Sequence, residues 1–97
     1  MNRSRVERRL VEIGSQLREL RAELAVVDEQ LSRLADEADD ARLRSLVSET
    51  PLAEHEHREA ARHADAMNRH RREVAGDIAR LEHQQDELLD RLNDVLG

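Results

Sequence analysis

The stretch Ser48-Glu49-Thr50-Pro51-Leu52 decides the fold. Thr50 followed by Pro51 is a helix-start signal. A Thr hydroxyl accepts a hydrogen bond from an orphan N–H of a first turn. Proline suits the first helical position, where its missing N–H costs nothing and its φ is already helical. Inside a continuous helix the same proline costs about 3 kcal/mol. One long kinked helix is the competing reading. The apolar pattern on either side of the break decides against it.

Upstream, the apolar positions run Val6, Leu10, Ile13, Leu17, Leu20, Leu24, Val27, Leu31, Leu34, Ala38, Ala41. The spacing alternates four and three without a miss. This is a heptad seam, with Leu10, Leu17, Leu24, Leu31 and Ala38 at a, and Ile13, Leu20, Val27, Leu34 and Ala41 at d. Gly14 is the weak helix former within it, at a cost of about 1 kcal/mol. After Ala41 the seam drifts, and Leu43, Leu46 and Val47 do not continue the ladder. Downstream, a second ladder reads Ala60, Ala64, Met67, Arg71, Val74, Ile78, Leu81, Gln85, Leu88, Leu92, Val95. Arg71 and Gln85 are polar intruders at a, where such residues fix register or oligomer state at some cost in stability. Extended towards each other, the first ladder puts an a position at residue 45 and the second at residue 50. That offset is not a heptad, so the two seams do not belong to one straight coil.

The expected fold is therefore all-α, a single two-helix antiparallel coiled-coil hairpin over 1–97. Helix one spans about 4–46, the turn about 47–51 and helix two about 51–96, with residues 1–5 frayed. Each helix of about 40 residues is about 60 Å long at 1.5 Å per residue. Folding back brings Ala38 and Ala41 towards Ala60 and Ala64. The basic start (Arg3, Arg5, Arg8, Arg9) favours antiparallel pairing with the acidic end (Asp86, Glu87, Asp90, Asp94). A symmetric register also sets Glu23 near Asp77, so charge does not fix the register.

Composition agrees with a rod. The chain has no Phe, Tyr or Trp and is 39% charged, so the aromatic bulk of a globular core is missing. Without cysteine there are no disulfides, thiolate chemistry or zinc fingers. A formal charge of −6 argues against direct nucleic-acid binding. No apolar run reaches membrane-span length. The start, Met1-Asn2-Arg3-Ser4-Arg5, lacks the apolar stretch of a signal peptide, so a cytoplasmic location is the expectation.

Three places are candidates for function. At the turn, Leu46, Val47 and Leu52 are aliphatic where turns are usually polar, and Glu49 and Glu54 add acidic groups beside them. This is either a local cap, with Leu46 packing on Leu52, or a partner-binding tip carried on a rigid scaffold. At the base, Val11 lies beside the first seam and Leu89 and Leu96 beside the second, a stripe wider than one partner helix covers. They are either scattered exposed aliphatics or a self-association surface where two hairpins meet base-first or side by side, a homodimer that can form a four-helix arrangement. The third place is Glu54-His55-Glu56-His57-Arg58-Glu59 with His63. Glu54 and His57, and Glu59 and His63, share a helix face, as metal-binding Glu-x-x-His elements do. The opposite seam offers only alanines there, so a solvated first turn suited to the helix dipole is the plainer reading. His63 and His70 fall at flanking g positions and Glu37 can reach one of them, which makes either a salt-bridged rim, the plainer reading, or a pH switch. No phosphate loop or nucleophile–base pair is recognisable. A non-enzymatic protein without cofactor or metal, acting through protein contacts, is the expectation.

The run Pro51-Leu52-Ala53-Glu54-His55, then Ala60-Ala61-Arg62, resembles the coiled-coil hairpin of Gre-type transcript-cleavage factors. Those carry an Asp-Leu-x-Glu-Asn tip followed by an Ala-Ala-Arg helix. Leu52, Glu54, Ala60, Ala61 and Arg62 match, while Pro51 replaces the Asp and His55 the Asn. In that family the tip acids help hold catalytic magnesium in the RNA polymerase secondary channel. The resemblance thus implies a transcription modulator that inserts its tip there, but with one tip acid missing and no globular domain to dock at the channel rim. The whole chain also resembles short coiled-coil proteins of GC-rich actinobacteria.

Overall fold

A computed structural model describes residues 2–96. The fold is all-α, an antiparallel hairpin of two helices, α1 (Arg3–Ser48) and α2 (Pro51–Leu96). No strand occurs among the described residues. Helix α1 outruns its expected bounds at both ends. It starts at Arg3 because Asn2 caps it: Ser4 N donates to Asn2 Oδ1 at 2.8 Å, and the Arg5 and Val6 amides donate to Asn2 O. The segment where fraying is expected, through residue 5, is helical from Arg3. Met1, the first residue of that expectation, lies outside the described residues.

The break falls on two residues. Glu49 has φ 50°, the left-handed conformation that ends a helix, and its amide still donates to Ser45 O at 3.1 Å. Thr50 reverses the chain into α2. Its Oγ1 accepts from Ala53 N at 3.1 Å, and its carbonyl accepts from Glu54 N at 3.1 Å. Pro51 takes the first helical position.

The chain packs as two compact units. The base unit takes α1 up to Leu24 and α2 from Val74; the tip unit is Ala25–Glu73. In the base unit Val6, Ile13, Leu17, Val74, Ile78 and Leu88 form a buried cluster. Leu10, Leu20, Leu24, Leu81 and Leu92 pack against it, partly buried. Every one is a ladder position, as a heptad seam requires. Val95, the last rung expected, is exposed.

In the tip unit the buried apolar residues are Val27, Ala41 and Ala53. Here the seam runs further than the two ladders implied. Counted back by heptads, the second ladder puts Ala53 at d and His57 at a, and these are buried and half-buried respectively. Ser45, the a position reached from the first ladder, is also half-buried, and its hydroxyl donates to Arg42 O at 2.8 Å.

Cross-helix contacts fix the register that charge left open. In the base unit Arg9 Nη2 donates to Gln84 Oε1 at 3.0 Å and Arg21 Nη2 to Glu82 Oε2 at 3.4 Å. They set Leu10 level with Leu88 and Leu17 with Leu81. In the tip unit Arg71 Nε donates to Asp28 Oδ1 at 2.5 Å, setting Leu31 level with Met67 and Ala38 with Ala60. Each a residue of one helix thereby meets a d residue of the other. Glu23 and Asp77 do share one groove, with Arg80 in it and paired to Asp77. At the base the acids that Arg3 and Arg9 pair with, Glu7 and Glu12, belong to their own helix, and Arg9 reaches α2 through the amide of Gln84.

Candidate contact surfaces

The two cross-helix contacts of the base unit each mark one of its flanks. Arg21 and Glu82 both occupy heptad position e, and Arg9 and Gln84 both occupy g. The g flank is polar, its groove lined by Arg9, Gln16, Glu23, Asp77, Arg80 and Gln84 among others. The e flank is different. Leu89 and Leu96 lie one and two heptads beyond Glu82, Gly14 one heptad before Arg21, and Val11 at the adjoining b position. Val11 is 72% exposed, Leu89 44% and Leu96 56%. Heptad position therefore brings all three expected base residues to one side of the unit, and none is covered by the chain's own seam.

At the turn, Leu46 is 62% exposed, Val47 85% and Leu52 66%. A cap built by Leu46 packing on Leu52 would cover only the smaller part of either side chain. Glu49 and Glu54 are exposed as well. Leu43, also exposed, joins this group. It precedes Leu46 by three residues and Val47 by four, so the three share one outward face of the last turns of α1. That i, i+3, i+4 spacing is the signal by which Leu43 belonged among the candidates.

The histidine cluster comes apart. His57 turns into the seam, where its Nδ1 is buried without a hydrogen-bond partner, while Glu54, His55 and Glu56 stay in solvent. Glu59 pairs with Arg62. His63 and His70 line a shallow groove with Leu34, Ala66 and Met67. His70 Nδ1 lies 4.0 Å from Glu73, and Glu37 lines a separate groove with Gln30, Arg33, Leu34 and Met67. Among the described residues no three His, Asp or Glu side chains converge as a metal-ligand set. Among them too, no helix is long and apolar enough to cross a membrane.

No protein-family model matches the chain, and no curated protein or solved structure matches it significantly.

Proposed function

We propose that the protein is a non-enzymatic coiled-coil adaptor that self-associates through its base unit and offers its turn to a protein partner. The observation that supports this most is the pairing of exposed aliphatics with a strained acid. Leu46, Val47 and Leu52 remain in solvent, and Glu49 occupies a left-handed backbone position that glycine or asparagine fills more cheaply. Strain held at a surface residue is a reason to look for a contact there.

Two measurements test the reading. In sedimentation equilibrium the wild-type chain is expected to be a dimer, and Leu89→Glu/Leu96→Glu to shift it towards monomer. A wild-type chain that stays monomeric at high micromolar concentration removes self-association. At the tip, Glu49→Ala/Glu54→Ala is expected to change stability by no more than about 0.5 kcal/mol, the scale of surface changes, while weakening capture of the cellular partner. Unchanged capture moves the contact away from the turn.

A second reading is a transcription modulator that enters the RNA polymerase secondary channel. It is supported by the exposure of Leu52 and Glu54, two of the tip positions in which the chain resembles Gre-type factors. Recovery of polymerase subunits with the wild type, lost in the double variant, favours it over the adaptor reading.

A further inference from the structure

We propose that two copies of the chain join through the e flanks of their base units, side by side and pointing the same way. Helix α1 of each copy then lies against α2 of the other. This deepens the self-association reading and rests on it.

Three observations point to the arrangement. The first is that this flank carries the exposed aliphatics Val11, Leu89 and Leu96 among its charged residues, while the groove on the opposite flank is lined mainly by charged and amide side chains.

The second is Gly14. A Cβ built there meets only Arg18 Nη1, at 3.7 Å, an ordinary van der Waals contact. Alanine would fit and would favour the helix by about 1 kcal/mol. The hairpin itself gives no packing reason for a glycine. Its lack of a Cβ lets a second backbone pass close over α1 at this level; Gly76 is equally open but sits at the outward f position of α2, so what marks Gly14 is its place on this flank. In the register of Arg21 with Glu82, Gly14 lies across from Leu89, at the middle of that flank.

The third is charge. Residues 3–24 hold six arginines and four glutamates, a balance of +2; residues 74–96 hold two arginines and six acids, a balance of −4. Two symmetric face-to-face arrangements exist. A two-fold axis along the helices stacks each α1 on the other copy's α2, so opposite charges meet and all neighbouring helices are antiparallel. A two-fold axis across the helices stacks α1 on α1 and α2 on α2, so like charges meet. The first is favoured. Arg18 and Asp86 both sit at b on this flank, and neither has an ion-pair partner among the described residues. Side chains tilt towards their own helix N-terminus, so Arg18 leans towards the level of Asp86 on the second copy, and Asp86 towards Arg18.

The test combines sedimentation equilibrium with crosslinking of the full chain. Gly14→Leu is expected to dissociate the dimer while helix content by circular dichroism is kept. Because the two-fold axis repeats the Arg18–Asp86 pair, Arg18→Glu removes it twice and should raise the dimer dissociation constant roughly tenfold, about threefold from each exposed pair, and adding Asp86→Arg should restore it. Ser4→Cys and Asn93→Cys are on the two helices at matching levels of the flank. Mixed and oxidised, they should give mainly the mixed disulfide. A wild-type dimer that ignores Gly14→Leu and Arg18→Glu and yields no mixed disulfide overturns this arrangement but leaves self-association standing. A wild-type monomer overturns both.

Discussion

The base and tip units share one heptad rule and fill it differently. In the base, the layers are built from Leu, Ile and Val with one polar member, the half-buried Gln85, and six ladder residues are buried together. In the tip, the buried apolar residues are Val27 and two alanines, and the same seam admits Arg71, His57 and Ser45. Period sets topology in both. Side-chain size then divides stability between them, because apolar area removed from water scales with the side chain. The base should carry most of the free energy of folding, and the tip should open first.

The largest effect expected is in the base. Leu17→Ala, at a fully buried ladder position, should cost about 2–5 kcal/mol in thermal or denaturant unfolding. Leu31→Ala sits at the equivalent a position in the tip but is only half-buried, so its cost should be clearly smaller, near about 2 kcal/mol at most. Equal losses for the two variants would break the contrast between the units.

The next test sharpens it. Ala38→Cys/Ala60→Cys places thiols level with each other across the tip. An intrachain disulfide there should stabilise by about 3 kcal/mol, since it closes a loop of moderate length. If the tip is the weaker unit, amide exchange over 38–60 should slow more than exchange in the base. Exclusively interchain crosslinks in dilute solution would mean that the hairpin exchanges its helices between copies.

Glu49→Gly should have a smaller, favourable effect. Relief of a left-handed non-glycine residue is worth about 1 kcal/mol, less whatever glycine adds to the unfolded chain's freedom. A rise in melting temperature with unchanged helicity is the expected outcome. A fall would show that the Glu49 side chain stabilises the turn.

The helices, the turn and the Thr50 cap were legible from sequence because each rests on local chemistry: a heptad period, a hydroxyl and a proline. The register was not. Glu23 opposite Asp77 and arginines opposite acids give charge arguments that point both ways, and the contacts Arg9–Gln84, Arg21–Glu82 and Asp28–Arg71 decide it. Ala53 and His57 were missed as seam residues for a simple reason. A small residue and a histidine carry little hydrophobic signal, although their heptad positions follow from Arg71 and Val74. The Asn2 cap was hidden by the run of arginines after it. Val11, Leu89, Leu96 and the turn residues were legible as surplus apolar groups, since the ladder left them no place in the seam. What covers them depends on a second molecule, and a chain's own periodicity does not describe one.

The smallest effect concerns the layer at which the tip's seam turns polar. Arg71 occupies a seam position, half-buried, and reaches Asp28 on α1 at 2.5 Å. Both side chains keep over 40% of their surface in solvent. An ion pair so exposed is worth no more than about 1 kcal/mol and weakens with salt. Asp28→Asn should therefore cost about 0.5 kcal/mol at low ionic strength and less at 1 M salt. Arg71→Leu should be neutral or stabilising, because an apolar residue suits the seam better than a cation that must find solvent. What it should lose is specificity: with that polar a position gone, the chain is expected to populate alternative registers or larger oligomers. If Asp28→Asn instead costs more than about 2 kcal/mol at both salt concentrations, well beyond the exposed range, this pair anchors the tip and the poverty of its apolar layers has been offset by charge.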